Sequence, residues 1–70
     1  MNDHTYSITE IIGTSRTSVE DAIQHGIKTA AKSLRNLDWF EVTQVKGQIV
    51  DGTVAHYQVA MKLGLRYEPK

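Results

Sequence analysis

The 70-residue sequence predicts an α+β fold, β-α-β-β in order, with one helix packed on a three-stranded antiparallel sheet of order 1-3-2. Three observations carry this. Residues of high β propensity gather at 5–12 and again from 39 onward. Between them, apolar residues recur in steps of three and four, the spacing of one helix face. Asp51-Gly52 then divides the second β-rich stretch in two. A strand, a returning helix and a second strand leave strands one and two pointing the same way. The hairpin reverses strand three, and placing it between the other two makes every pairing antiparallel.

Each element has its own signals. Thr5, Tyr6, Ile8, Thr9, Ile11 and Ile12 mark the first strand, and Gly13-Thr14-Ser15 is expected to break it as a turn. Ser18 reads as a helix N-cap, with Asp21 three residues on in the place of a capping-box glutamate. Glu20 and Asp21 suit the positive end of the helix dipole. Val19, Ala22, Ile23, Ile27, Ala30, Ala31 and Leu34 trace one face from about 19 to 35, and Gly26 on that side permits close approach by a strand or neighbour. Asn36-Leu37-Asp38 ends the helix. The second strand opens at Trp39-Phe40-Glu41-Val42 and runs to about 50, with a bulge expected near Thr43-Gln44, where the alternation slips. The third, about 53–66, alternates cleanly. Ala55, Tyr57, Val59, Met61, Leu63 and Leu65 share one face, and Val54, His56, Gln58, Ala60, Lys62, Gly64 and Arg66 the other.

Composition narrows the function. Seventy residues make a single domain, 1–70, too small to be secured by its core alone. With no cysteine there is neither disulfide nor thiolate zinc site, and the three histidines lack ligand spacing. Self-association is the remaining remedy. The two long later strands, more than one helix can cover, argue the same way. Eight basic residues balance eight acidic ones, which counts against a nucleic-acid binder. No apolar run approaches the ~20 residues that span a bilayer. The N-terminus does not read as a signal peptide, so the expected location is the cytoplasm.

Few residues offer chemistry. No nucleophile and base stand in a recognisable arrangement, so an enzyme is not expected. Gly13-Thr14-Ser15 ahead of a helix reads first as a turn and second as an anion cradle. Lys28, Lys32 and Arg35 read as a solvated helix face. Trp39 is more informative. Alternation assigns Phe40 to the core and Trp39 to the open side of the sheet. An indole there serves as an interface anchor or as a stacking platform for a planar ligand. Gln58, on the same open face of strand three, offers a donor and an acceptor that suit the edge of a heterocycle. From the residues themselves a surface or intersubunit glutamine is the preferred reading.

The set Glu10-Ile11-Ile12-Gly13-Thr14-Ser15, Leu37-Asp38-Trp39-Phe40-Glu41-Val42, Tyr57-Gln58-Val59 and Leu63-Gly64-Leu65-Arg66 resembles the dodecin family over roughly residues 5 to 68. The resemblance implies a homododecamer that binds flavins in stacked pairs between tryptophans of neighbouring subunits, here Trp39. It implies that Gln58 hydrogen-bonds the ring edge. Lys46 falls where many bacterial members carry arginine near the flavin; lysine keeps the charge and loses the planar fork. The flavin implied is FMN, with riboflavin or FAD as other candidates, and some members also hold coenzyme A. The expected role is flavin storage and buffering with quenching and photoprotection, without turnover. The alternative is a structural oligomeric interaction module that holds no cofactor.

Overall fold

Four elements follow one another: β1 (Tyr6–Ser15), α1 (Val19–Ala30), β2 (Leu37–Val50) and β3 (Thr53–Arg66). They belong to a computed structural model that describes residues 3–68; Met1-Asn2 and Pro69-Lys70 lie outside the described residues. The sheet order is β1-β3-β2, with both pairings antiparallel. This is the predicted architecture. β2 and β3 each run for 14 residues, which gives the molecule its 53 Å long axis.

The hairpin is tight because Asp51 (φ 52°) and Gly52 (φ 79°) both occupy the left-handed region, as a type I′ turn requires. The expected bulge is present as a register shift between Val42 and Gln44. Thr43 is the extra residue there, and its Oγ1 donates to the Ala60 carbonyl at 3.2 Å. Ser18 caps α1: its Oγ accepts from the Asp21 amide at 2.9 Å. The capping box is completed through a relay that the sequence did not suggest. Ser15 Oγ accepts from the amides of Thr17 (2.9 Å) and Ser18 (3.3 Å) and donates to Asp21 Oδ2 at 2.7 Å.

That relay corrects one expectation. Gly13-Thr14-Ser15 does not break the strand; it continues β1, opposite Val59, Gln58 and Tyr57. Gly13 is there for space. A Cβ on it would run into the Ala22 carbonyl, and one on Gly26 would sit 3.1 Å from the Gly13 Cα. The two glycines let α1 lie close against β1. A second correction concerns the helix end. α1 stops at Ala30, and the chain tightens into three-residue turns, with Lys32 N–H donating to Thr29 and Ser33 N–H to Ala30. Lys28 stays in the last helical turn, whereas Lys32 and Arg35 lie beyond it, so the three make no continuous helical stripe.

The core sits between α1 and the middle of the sheet. Ala22, Val59, Met61 and Leu63 are buried, with Ile11, Val19, Ile23, Ile27, Leu34, Leu37 and Leu65 packed around them. Burying one such large side chain fully contributes about 1.5–3 kcal/mol. Residues directly opposite across a pairing share a face, so Phe40, opposite Leu63, points to the helix side as expected. It is not a core residue, however. It remains 48% exposed because α1 packs on β1 and β3 and leaves β2 largely uncovered.

Candidate functional site

The open face of the sheet is built in rows that the register defines. Ile8, Gly64 and Trp39 form one row; Glu10, Lys62 and Glu41 the next; Ile12, Ala60 and Gln44 a third; Thr14, Gln58 and Lys46 a fourth. Trp39 reaches this face through a register shift between Leu37 and Trp39, with Asp38 the extra residue. Bulges of this kind re-aim a side chain.

The indole lies directly over Gly64. A Cβ built on Gly64 would fall within the ring system, at Cε2, Cδ2 and Cζ2. A glycine in a strand interior here leaves the space for an aromatic ring to approach the backbone. Tyr6 packs against the indole edge-on, with ring centroids 5.9 Å apart and planes at 60°. Its hydroxyl donates to Asp38 Oδ2 at 3.0 Å, and His4 meets its ring edge-on in turn. The hydrogen bond to the Asp38 carboxylate raises the Tyr6 phenol above its ordinary value; slight desolvation and the Asp38 charge act in the same direction, and Arg66 opposes them. One face and one edge of Trp39 are thus occupied, and the residue is still 39% exposed. Among the described residues the arrangement is a flat aromatic surface with fixed backing.

Lys46 and Gln58 are direct partners across β2 and β3, and both stand on the same face as Trp39. They do not meet it. Gln58 lies six positions from Gly64 along β3, about 20 Å at strand spacing. A single chain therefore presents the stacking surface and the Lys46–Gln58 pair as two separate patches.

The anion-cradle reading of Gly13-Thr14-Ser15 is overturned. The Thr17, Ser18 and Asp21 amides are already engaged by Ser15 and Ser18 hydroxyls, and Glu20 and Asp21 occupy the first helical turn. A depression beside it, lined by Ser15, Asp21, His25 and His56 among others, holds no cluster of metal-ligating groups. No helix among the described residues is long and apolar enough to cross a membrane.

Residues 5–68 match the family model for dodecin. The chain belongs to the dodecin family. A dodecin from Thermus thermophilus is 44% identical over 63 residues, 90% of this chain and 91% of that protein. Among solved structures, dodecin from Streptomyces coelicolor superposes with a TM-score of 0.91 at 54% identity, covering all of both chains. Dodecin from Streptomyces davaonensis gives 0.89 at 51% identity, covering 97% of this chain and all of the other. Dodecins are a flavin-binding family and not an enzyme family. Sequence reasoning found Trp39 but not its supports, Tyr6, Asp38 and Gly64. One available signal was Gly64 itself, an unexplained glycine in an otherwise well-formed strand.

Proposed function

We propose that this dodecin binds a flavin, FMN foremost, on the free face of Trp39, and stores it without turnover in a homo-oligomer, a dodecamer. The observation that supports the reading most is the indole seated on Gly64 with its outer face open. Such a surface accepts a planar, electron-poor ring by offset stacking, worth about 0.5–1.5 kcal/mol beyond the area buried. The bound flavin would supply its redox-active, fluorescent isoalloxazine. Trp39, as electron donor in van der Waals contact, would quench that fluorescence and shorten the excited state, which is the basis for photoprotection.

Gln58 is proposed to hydrogen-bond the ring edge, and Lys46 to supply positive charge beside it. Because they are separated from Trp39 within one chain, the proposal requires a ring stacked on one subunit's Trp39 to meet Gln58 and Lys46 of a neighbouring subunit. The residues fit a flavin on this condition. The exposed apolar surface of β2 supports association of copies: Phe40, Val45, Ile49 and Val50 are all close to half exposed or more. Stacked flavin pairs between tryptophans of adjacent subunits would close the site and leave no room for a substrate. Coenzyme A has no comparable residue set on this face and is no part of the proposal.

The bare β2 also favours a second reading, an oligomeric interaction module with no cofactor. Titrating FMN with flavin-free protein, with elution volume read alongside, separates the two. The proposal expects quenching that saturates near one flavin per chain on a particle far larger than a monomer. Unquenched FMN on such a particle would leave the second reading standing.

A further inference from the structure

Tyr6 and Asp38 do nothing for a flavin directly in the reading above, yet they form the most specific side-chain contact around Trp39. Among the described residues, the Tyr6–Asp38 hydrogen bond links β1 to the start of β2 across the width of the sheet, 32 residues apart in sequence. Asp38 is the extra residue of the register shift that brings Trp39 onto the open face. The phenol ring bears on the indole edge, and Gly64 supports the indole from below. An exposed tryptophan on the edge strand of a sheet ordinarily samples several rotamers. Here one side is held by backbone, one by an aromatic edge, and that edge is itself tied to the residue preceding the indole.

We propose that Tyr6 and Asp38 are positioning residues that clamp Trp39 flat on Gly64, presetting the indole face that receives a planar ligand. The assignment of that ligand as a flavin rests on the function proposed above; the clamp itself does not. Fixing the receiving ring in advance removes an ordering cost from binding, so the clamp acts on affinity through preorganisation.

The clamp carries a pH signature. The phenol must be protonated to donate to the Asp38 carboxylate, and ionisation would place two negative charges against each other. The charged and titratable groups facing Tyr6 are Asp38 from β2, Arg66 from β3 and His4 from the preceding segment, with Glu68 paired to Arg66 at 3.4 Å. The Tyr6 phenol is raised by its partner. A group whose folded-state value is raised contributes stability below its unfolded value, near pH 10 for a phenol, and loses it as pH rises through the raised value. The clamp is therefore closed at neutral pH and opens in alkali.

The test uses flavin-free protein first. Near-ultraviolet circular dichroism of the indole is followed from pH 7 to 12 for the wild type, Tyr6→Phe and Asp38→Ala. The expected result is an indole transition above pH 10 in the wild type that both variants lack, with their neutral spectra already shifted toward a mobile indole. Tyr57 and Tyr67 are common to all three proteins, so their signals cancel in the comparison. FMN titration then reads the consequence. Each variant should bind about three- to tenfold more weakly, the range for losing one ordinary solvent-exposed hydrogen bond. The double variant should be no worse than either single one, since both remove the same contact. Tyr6 is more than a third exposed, so elution volume should hold and melting temperature should fall only slightly for Tyr6→Phe. An indole spectrum and alkaline transition unaltered in both variants would overturn the clamp. If the wild type binds no FMN, the functional reading fails, and the indole spectra alone decide the clamp.

Discussion

β2 and β3 are of equal length and are paired along their whole extent, yet they live in different surroundings. Val59 on β3 is fully buried, while Val45, its direct partner on β2 and on the same face, is 51% exposed. Met61 is 1% exposed and its partner Val42 37%; Leu63 is 1% exposed and its partner Phe40 48%. The residue types are alike. What differs is the footprint of α1, which covers β3 and stops short of β2. Burial within one chain is set here by a single twelve-residue helix. The apolar side chains it leaves bare are surface that a second copy would have to cover, consistent with the proposed homo-oligomer.

Several substitutions can break or sharpen that contrast. The largest effect is expected at Leu63. Leu63→Ala opens a cavity in the core and should cost about 2–5 kcal/mol in denaturant unfolding; a loss below about 1 kcal/mol would mean the core lies elsewhere. Its partner is expected to act on association instead. Phe40→Ser should raise the concentration at which the particle dissociates by about tenfold or more, the scale of an interface hot spot. Equilibrium sedimentation reads this, and an unchanged particle would place Phe40 outside any contact. Gln58→Ala should weaken FMN binding by about two- to tenfold, as expected for one hydrogen bond while the ring stack survives. A loss larger than that of Trp39→Ala would invert the proposed ranking of the site. The smallest change is Lys46→Arg, which restores a planar fork without altering charge and should tighten FMN binding by less than about tenfold. Unchanged binding would place Lys46 away from the ligand, and weaker binding would contradict the expected gain from the planar fork.

Most of this fold was legible because its signals are local. The Asp51-Gly52 turn, the Ser18 cap, the Thr43 bulge and the alternation of β3 each depend on a few neighbouring residues. The misread segments depend on contacts far apart in sequence. Gly13 looked like a turn residue because a glycine by itself marks a break; only the helix backbone lying against it shows that the strand continues. Phe40 looked like core because alternation gives the face of a residue but not the reach of the helix over it. The site divides in the same way. Trp39 stood out as the single tryptophan at a strand start, and Gln58 by its face. Tyr6, Asp38 and Gly64 lie 25 or more positions from one another in sequence, and only the pairing of three strands brings them around one indole.

The central claim is that the open face of Trp39 is the surface on which flavin stacks. Titrating FMN fluorescence with flavin-free wild type and with Trp39→Ala, at concentrations where both elute as the same particle, tests it most directly. The account predicts saturable quenching by the wild type, and for the variant a loss of affinity of about ten- to a hundredfold, the scale of an aromatic stack, together with loss of the quenching. Equal affinity and equal quenching in the two proteins would contradict it.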